Sequence, residues 1–422
     1  MSDDTDTFDF SSPEEIFTDN ALEASHGSNL VANDDGRRVL AIHTSDRGNF
    51  KGCRRRWYFS SPLGLGLEPF QRANPLWYGT GVHFALEDYH GYQRYPTPTD
   101  AFLDYCRASE KTLGVRMPID YDELRLLGIA MMDFYTEEWL TNRDPYETLV
   151  IDGVPQVEVT FEIELPIPQV LLDRFELDAV VYRGTIDRVV IHRDLGMISP
   201  LDYKTAAHYR TDHLGFDAQI TAYMWACSCI YNLPVKDFIY QQHIKSVPKE
   251  PRLLANGKLS TADSQLTTAS RYRNAIIQQY GNVGDAPHKM VECLNSFTDR
   301  EFPDRDPFII RDFADRSPYQ LQAEGEMILL EVLDMLDPNL RMYPHKGQNC
   351  SWCSFKSPCL SIDDGSDWES ELSDPLAYLP RKKEKETNSW KQQVKHPLMP
   401  VLPKLVAPLQ EPQLQESHRE LI

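Results

Sequence analysis

No run of eighteen apolar residues occurs in this 422-residue chain, so no segment reads as a transmembrane helix and no membrane partner is expected. The N-terminus, MSDDTDTFDF, lacks the basic-then-apolar pattern of a secretion signal, and a cytoplasmic protein is expected. Positive charge is scarce. Lys and Arg number 43 against 64 Asp and Glu, a net charge of −21, which argues against a protein that holds duplex DNA by bulk electrostatics. There is no G-x4-G-K-[ST] phosphate loop, which excludes a helicase motor of that type. Nor is there self-similarity at a 20–50 residue period, which excludes a solenoid. The eight cysteines, in a cytosolic chain, read as free or metal-bound thiols rather than a disulfide framework.

The charge that is present is unevenly spread. Residues 1–37 carry ten acids and one arginine, and residues 363–422 carry eleven acids and eight bases, leaving −9 on the body between them. Both ends lack periodic apolar positions and are expected to be disordered. Residues 38–362 are expected to form one composite domain, in which local basic clusters (Arg47, Lys51 and Arg54-Arg55-Arg56; Lys245, Lys249, Arg252 and Lys258) interrupt the acidic background. A short strand opens Val39–Trp57 and a helical stretch closes it. A helix begins at Gly81, and residues 100–143 form a helical layer. Strands are expected at Gln156–Leu165, Leu177–His192, Met197–Thr205 and Val235–Lys245, and helices at Gly215–Tyr231 and Tyr319–Leu336. A mixed α/β sheet flanked by helices is the natural packing of this order.

The chemistry concentrates in LDAVVYRGTIDRVVIH and MISPLDYKT, two strands joined by Arg193-Asp194-Leu195-Gly196. Paired, they bring Asp187, Asp202 and Lys204 to one end of a hairpin, two carboxylates for a hard cation beside a fixed ammonium. Lys204 is the only lysine in the chain with an acid two positions before it. His83 and Glu87 lie one helical turn apart, and a neutral imidazole is a ligand for Mn²⁺ and tolerable for Mg²⁺. Gln219 and Tyr223 are one turn apart on the helix that follows, where an amide and a phenol orient a phosphate or a water. Finally Cys350, Cys353 and Cys359 give C-x2-C-x5-C, a spacing that holds zinc or an iron–sulfur cluster. Cys53 or His345 is the candidate fourth ligand, His345 favouring zinc. Cys106, Cys227, Cys229 and Cys293 read as buried free thiols.

Taken in order, C…H…D…D-x-K…Q-x3-Y…C-x2-C-x5-C resembles the RecB-like branch of the PD-(D/E)xK nuclease superfamily. Within it, the likeness is to members with an iron–sulfur cluster: the nuclease domains of AddB and the CRISPR-associated exonucleases of the "Cas-four" type. The stretch Lys245–Ser260 looks like phage-encoded members of that group. The resemblance spans Cys53 to Cys359 and implies a restriction-endonuclease-like fold whose two ends are tied by a [4Fe–4S] cluster on Cys53, Cys350, Cys353 and Cys359. It implies metal ligation (Mg²⁺ or Mn²⁺) by His83, Asp187, Asp202 and the Tyr203 carbonyl, with Lys204 catalytic and Gln219 and Tyr223 contacting DNA or Lys204. The Pro-Asp of the superfamily's name is absent, replaced by G-T-I-D-R.

These features lead to the expectation of a metal-dependent DNA exonuclease acting on single strands or duplex ends, in phage DNA recombination, repair or degradation. Arg54, Arg55, Arg56, Arg188 and Lys245 are the candidate DNA contacts, and the tails are candidate docking segments for an annealing or recombination protein. The rival reading is a non-catalytic, zinc-stabilised scaffold that binds nucleic acid.

Overall fold

Strand-forming alternation is densest at the middle of the chain, and the sheet forms there. The computed structural model describes residues 36–70, 74–114, 117–139, 146–231, 233–300, 306–381 and 391–395; the expectation of disorder over residues 1–35 lies outside them. Twelve strands follow in chain order: β1 (Val39–Ile42), β2 (Leu67–Pro69), β3 (Glu147–Thr148), β4 (Val150–Ile151), β5 (Val154–Pro155), β6 (Val157–Glu164), β7 (Ala179–His192), β8 (Met197–Ala206), β9 (Phe238–Ile244), β10 (Ile309–Ala314), β11 (Tyr378–Pro380) and β12 (Lys391–Lys395). Eight of them build a mixed sheet in the order β10-β9-β8-β7-β6-β12, with β1 and β3 also pairing with β7. β7 carries fourteen residues and serves two sets of neighbours. Its first half lies between β1 and β6, and its last residues between β3 and β8.

The β7–β8 hairpin closes where expected, with Gly196 in the left-handed region (φ +61°) that favours glycine in such a turn. Both faces of the sheet are covered, so β7 reads as a nearly continuous apolar run. Helices Asn74–Glu87, Pro98–Leu113 and Tyr121–Phe134 cover one face through a core that includes Trp77, Phe102, Met132, Leu201 and Tyr203. Helices Ala218–Ile230 and Pro318–Met335 cover the other, packing Trp225 and Val332 with Phe161 and Tyr182 of the sheet. Helices Ala269–Tyr280 and His288–Arg300 form a smaller core of their own around Tyr272 and Phe297.

Two boundaries differ from expectation. The helix expected to begin at Gly81 begins at Asn74. Gly79 and Gly81 lower helix propensity, but Gly81 serves packing: a Cβ there would lie 2.7–2.8 Å from the rings of Tyr105 and Phe102, which press on it from the neighbouring helix. The chain past residue 363, expected to be a disordered tail, continues the fold through helix Trp368–Ser373 and strand β11, which pairs with β2. Arg381 accounts for this. Its backbone N–H bonds the Gly66 carbonyl, and its guanidinium meets the buried Asp46 carboxylate at 2.9 Å. Further on, β12 pairs in parallel with β6 and ends the sheet on that side. Among the described residues, no helix is long and apolar enough to cross a membrane.

Candidate active site

The site lies at a fork in the sheet. The antiparallel ladder between β7 and β8 ends at Arg188↔Leu201, and from Leu201 onward β8 pairs in parallel with β9. Asp187 and Asp202 occupy the parting strands just beyond the last rung. The backbone N–H of Tyr203 donates to Asp187 Oδ2 at 2.7 Å, so a carboxylate takes the donor that a continuing ladder would have used.

Around this fork the structure brings together His83, Asp187, Asp202, Tyr203 and Lys204. His83 reaches in from helix Asn74–Glu87, its Nδ1 3.4 Å from Asp187 Oδ2. Lys204 Nζ lies 2.9 Å from Asp202 Oδ1 and 2.7 Å from Oδ2. Tyr203 turns its ring to the other side of β8, among three imidazoles: His90 stacks on it at 6.3 Å, and His83 and His243 meet it edge-on at 6.3 and 6.0 Å. Those contacts fix the peptide whose N–H holds Asp187.

A further residue joins them. Glu158 of β6 places Oε1 3.9 Å from His83 Nδ1, and ligand atoms of His83, Glu158 and Asp187 all lie within 4.8 Å of one another. Its backbone is in the left-handed region at φ 45°, rare for a non-glycine residue. Nothing in the sequence marks it, because Val-Glu-Val-Thr reads as ordinary strand alternation and the inverted backbone is invisible in it.

The electrostatics follow from burying several like charges beside two cations. Burial opposes charge on His83, but the Asp187 carboxylate, with Glu158 and Asp202 behind it, outweighs that and raises its pKa to about 9. Glu158 and Asp202 are pushed up, first by burial and then by Asp187. Asp187 is held down despite its burial, by the charge and hydrogen bond of His83 and by Lys204. Lys204 is raised, since Asp202 and Asp187 outweigh its own burial. Three carboxyl groups converge here with an imidazole, and an imidazole with hard carboxylates suits Mg²⁺ or Mn²⁺. The donor set fits a divalent cation on this ground.

Tyr223 lies beside the site, its ring edge-on to Phe161 at 5.8 Å, with Gln219 as a hydrogen-bond partner. Gly184 makes room for this: a Cβ there would lie 2.6 Å from Phe161 Cζ and 3.1 Å from Tyr223 Cε1. Buried, the Tyr223 phenol is raised well above its ordinary pKa, so it serves as a neutral hydrogen-bonding group.

Cys53, Cys350, Cys353 and Cys359 line one cavity of about 260 Å³. The Arg55 guanidinium bonds Cys359 Sγ at 3.3 Å, and His345 meets Cys53 through its backbone N–H, at 3.4 Å, rather than its ring. A tetrahedral zinc site draws thiolates to about 3.8 Å of one another. Among the described residues, no three ligand atoms from these cysteines and His345 lie within 4.8 Å of one another. Cys106, Cys227 and Cys293 are buried and outside any disulfide, as expected; Cys229 is half-buried.

The expected DNA contacts need correction at two positions. Arg188 is fully buried and bonds Thr148 Oγ1 and the Tyr146 carbonyl. Arg55 is buried between Cys359 and Asp363. An enclosed guanidinium already holding carbonyl, thiol or carboxylate partners has no face left for a phosphate. Lys245 is half-buried, its ammonium 4.9 Å above the Tyr78 ring, and burial lowers its pKa. Arg54 lies over Phe50 and Tyr343 at 4.9 and 5.5 Å, and Arg56 lines the cysteine cavity. Arg47 of the first basic cluster is also buried, paired with Glu324 and Glu331.

Compared with models of protein families, residues 45–360, about three quarters of the chain, match the one described as the PD-(D/E)XK nuclease superfamily. No curated protein matches the chain.

Proposed function

Because this chain belongs to the PD-(D/E)XK nuclease superfamily, a family of metal-dependent nucleases, we propose that it is a DNA exonuclease. The mixed sheet with helices on both faces is consistent with the restriction-endonuclease-like fold. One observation carries the assignment of the site: His83, Glu158 and Asp187 converge within 4.8 Å next to the Asp202–Lys204 pair. In this reading His83, Glu158, Asp187, Asp202 and the Tyr203 carbonyl hold one or two Mg²⁺ or Mn²⁺ ions. A bound divalent cation supplies Lewis acidity toward the phosphate and lowers the pKa of water. Lys204, kept charged and oriented by Asp202, stands where negative charge builds on the non-bridging oxygens and orients the attacking water. Gln219 and Tyr223 offer neutral donors to the DNA.

The four cysteines hold a [4Fe–4S] cluster in this reading. His345 meets Cys53 through its backbone N–H, which speaks against zinc ligation by its ring. The likeness of Lys245–Ser260 to phage-encoded exonucleases supports a role in phage DNA recombination, repair or degradation, with an annealing or recombination protein as candidate partner.

Purified protein given Mg²⁺ or Mn²⁺ should shorten end-labelled linear single-stranded DNA and leave circular single strands intact. Asp202→Ala and Lys204→Ala should each lower the rate by at least about a hundredfold, with unchanged thermal melts. Full activity in either variant refutes the site, and cleavage of circles refutes the exonuclease assignment.

A further inference from the structure

Two acid-free segments of this acidic chain meet in the fold. From Arg47 to Leu67 there is no acid in twenty-one residues but five bases, and from Pro338 to Ile362 no acid in twenty-five residues but three bases and His345. The chain as a whole carries a net charge of −21. The fold brings the two segments together. The Arg55 backbone N–H donates to the Tyr343 carbonyl, the Arg54 guanidinium lies 5.5 Å from the Tyr343 ring, and both segments line the cysteine cavity. The charged side chains around that cavity are Arg55, Arg56, Lys346 and Lys356 against a single acid, Asp363. Arg55 and Lys346 are taken up by Asp363. Among the described residues, Arg54, Arg56 and Lys356 make no ion pair with an acid. The same acid-free segment as Lys356 carries two exposed aromatic side chains, Tyr343 at 57% exposure next to Arg54 and Trp352 at 68% between Cys350 and Cys353.

Unpaired cations interleaved with exposed flat rings form a surface for a polyanion with free π-faces. We propose that this face seats single-stranded DNA, with Arg54, Arg56 and Lys356 on phosphates and Trp352 and Tyr343 stacked on bases. A duplex keeps its bases stacked on one another and offers the rings nothing, whereas an unpaired strand offers each of them a base regardless of sequence. On a chain this acidic, a localised positive face also directs a strand to one side of the molecule. The inference rests on the nuclease reading and deepens it by naming the strand and where it lies.

The test is anisotropy of a labelled thirty-nucleotide oligothymidine with the full-length chain carrying Asp202→Ala to block cutting, titrated across a series of salt concentrations. Combined Arg54→Gln, Arg56→Gln and Lys356→Gln should flatten the slope of log affinity against log salt by about 2, roughly 0.7 per lost contact. A control of equal charge change on exposed residues elsewhere (Arg107→Gln, Lys111→Gln and Lys289→Gln) should leave the slope unaltered. Trp352→Ala should weaken binding by roughly 5- to 100-fold with the slope retained. Thermal melts of each variant report folding. Binding with unchanged slope and unchanged affinity in both face variants overturns the proposal, and leaves the nuclease reading standing if the unsubstituted chain cuts DNA with Mg²⁺ or Mn²⁺. If the unsubstituted chain neither binds nor cuts, the nuclease reading fails and takes this inference with it.

Discussion

Glu158 holds a left-handed backbone (φ 45°) within a strand, a conformation that costs a non-glycine residue of order 1–3 kcal/mol and persists where function requires it. The strain turns its carboxylate toward His83 and Asp187, where a bound cation would offset the mutual repulsion. Glu158→Gln should therefore weaken Mn²⁺ binding by about tenfold or more, read by calorimetry or electron paramagnetic resonance, without lowering the melting temperature of the metal-free protein. Unchanged Mn²⁺ affinity removes Glu158 from the site. Asp46 shows the same accounting at a structural position. Burial alone raises its pKa, but the hydrogen bond from His43 and the charge of Arg381 prevail and lower it from 3.8 to about 2. A depressed carboxyl pKa stabilises the fold above its unfolded value, and the contribution is lost as pH falls through the folded value. The shift corresponds to about 2 kcal/mol. The stability gap between wild type and Asp46→Asn, measured by denaturant melts, should be widest above pH 4 and close as pH approaches 2. A gap that does not narrow contradicts the linkage.

At the scale of elements, the β7–β8 hairpin does two jobs. Its closed end sets the register, and its open end leaves the Tyr203 N–H to the Asp187 carboxylate. The hairpin was legible because fourteen and ten strand residues flank a turn with glycine at its left-handed position. The fork was not, because leaving one partner for another is decided by β9, some thirty residues downstream. The Gln219–Tyr223 helix is seated on the same sheet by Gly184, over which the rings of Phe161 and Tyr223 close. Gly184→Ala should destabilise the protein by about 1–3 kcal/mol through forced displacement of those rings, seen as a lowered midpoint in urea. An unchanged midpoint places the rings elsewhere. The start of the His83 helix at Asn74 is not legible for the same kind of reason: Gly81 follows the demands of Tyr105 and Phe102, which sequence proximity does not reveal.

For the whole molecule, residues far apart in the chain close the fold. Cys53 meets Cys350, Cys353 and Cys359 at one cavity, and Arg381 reaches back to Asp46. A covalent or metal tie across about three hundred residues restricts the unfolded chain and adds several kcal/mol on loop-entropy grounds. Cys353→Ser should lose the brown visible absorption and bound iron of the purified protein and lower its melting temperature by several degrees. A colourless wild type with stoichiometric zinc overturns the cluster assignment.

Sequence alone carried the strands, the order of the chemical groups and the acid–lysine pair, because alternation, turn glycine and a two-residue spacing are local properties of the chain. It also carried the four cysteines as candidates, since short thiol spacings are local too. Only the tertiary structure decided which arginines are spent inside, as Arg55 and Arg188 are, since burial depends on what packs above a residue. It alone brought Glu158 into the site, extended the fold to Arg381 and joined two acid-free segments into one face. Those are contacts between residues tens to hundreds of positions apart, and no local pattern encodes which of them will meet.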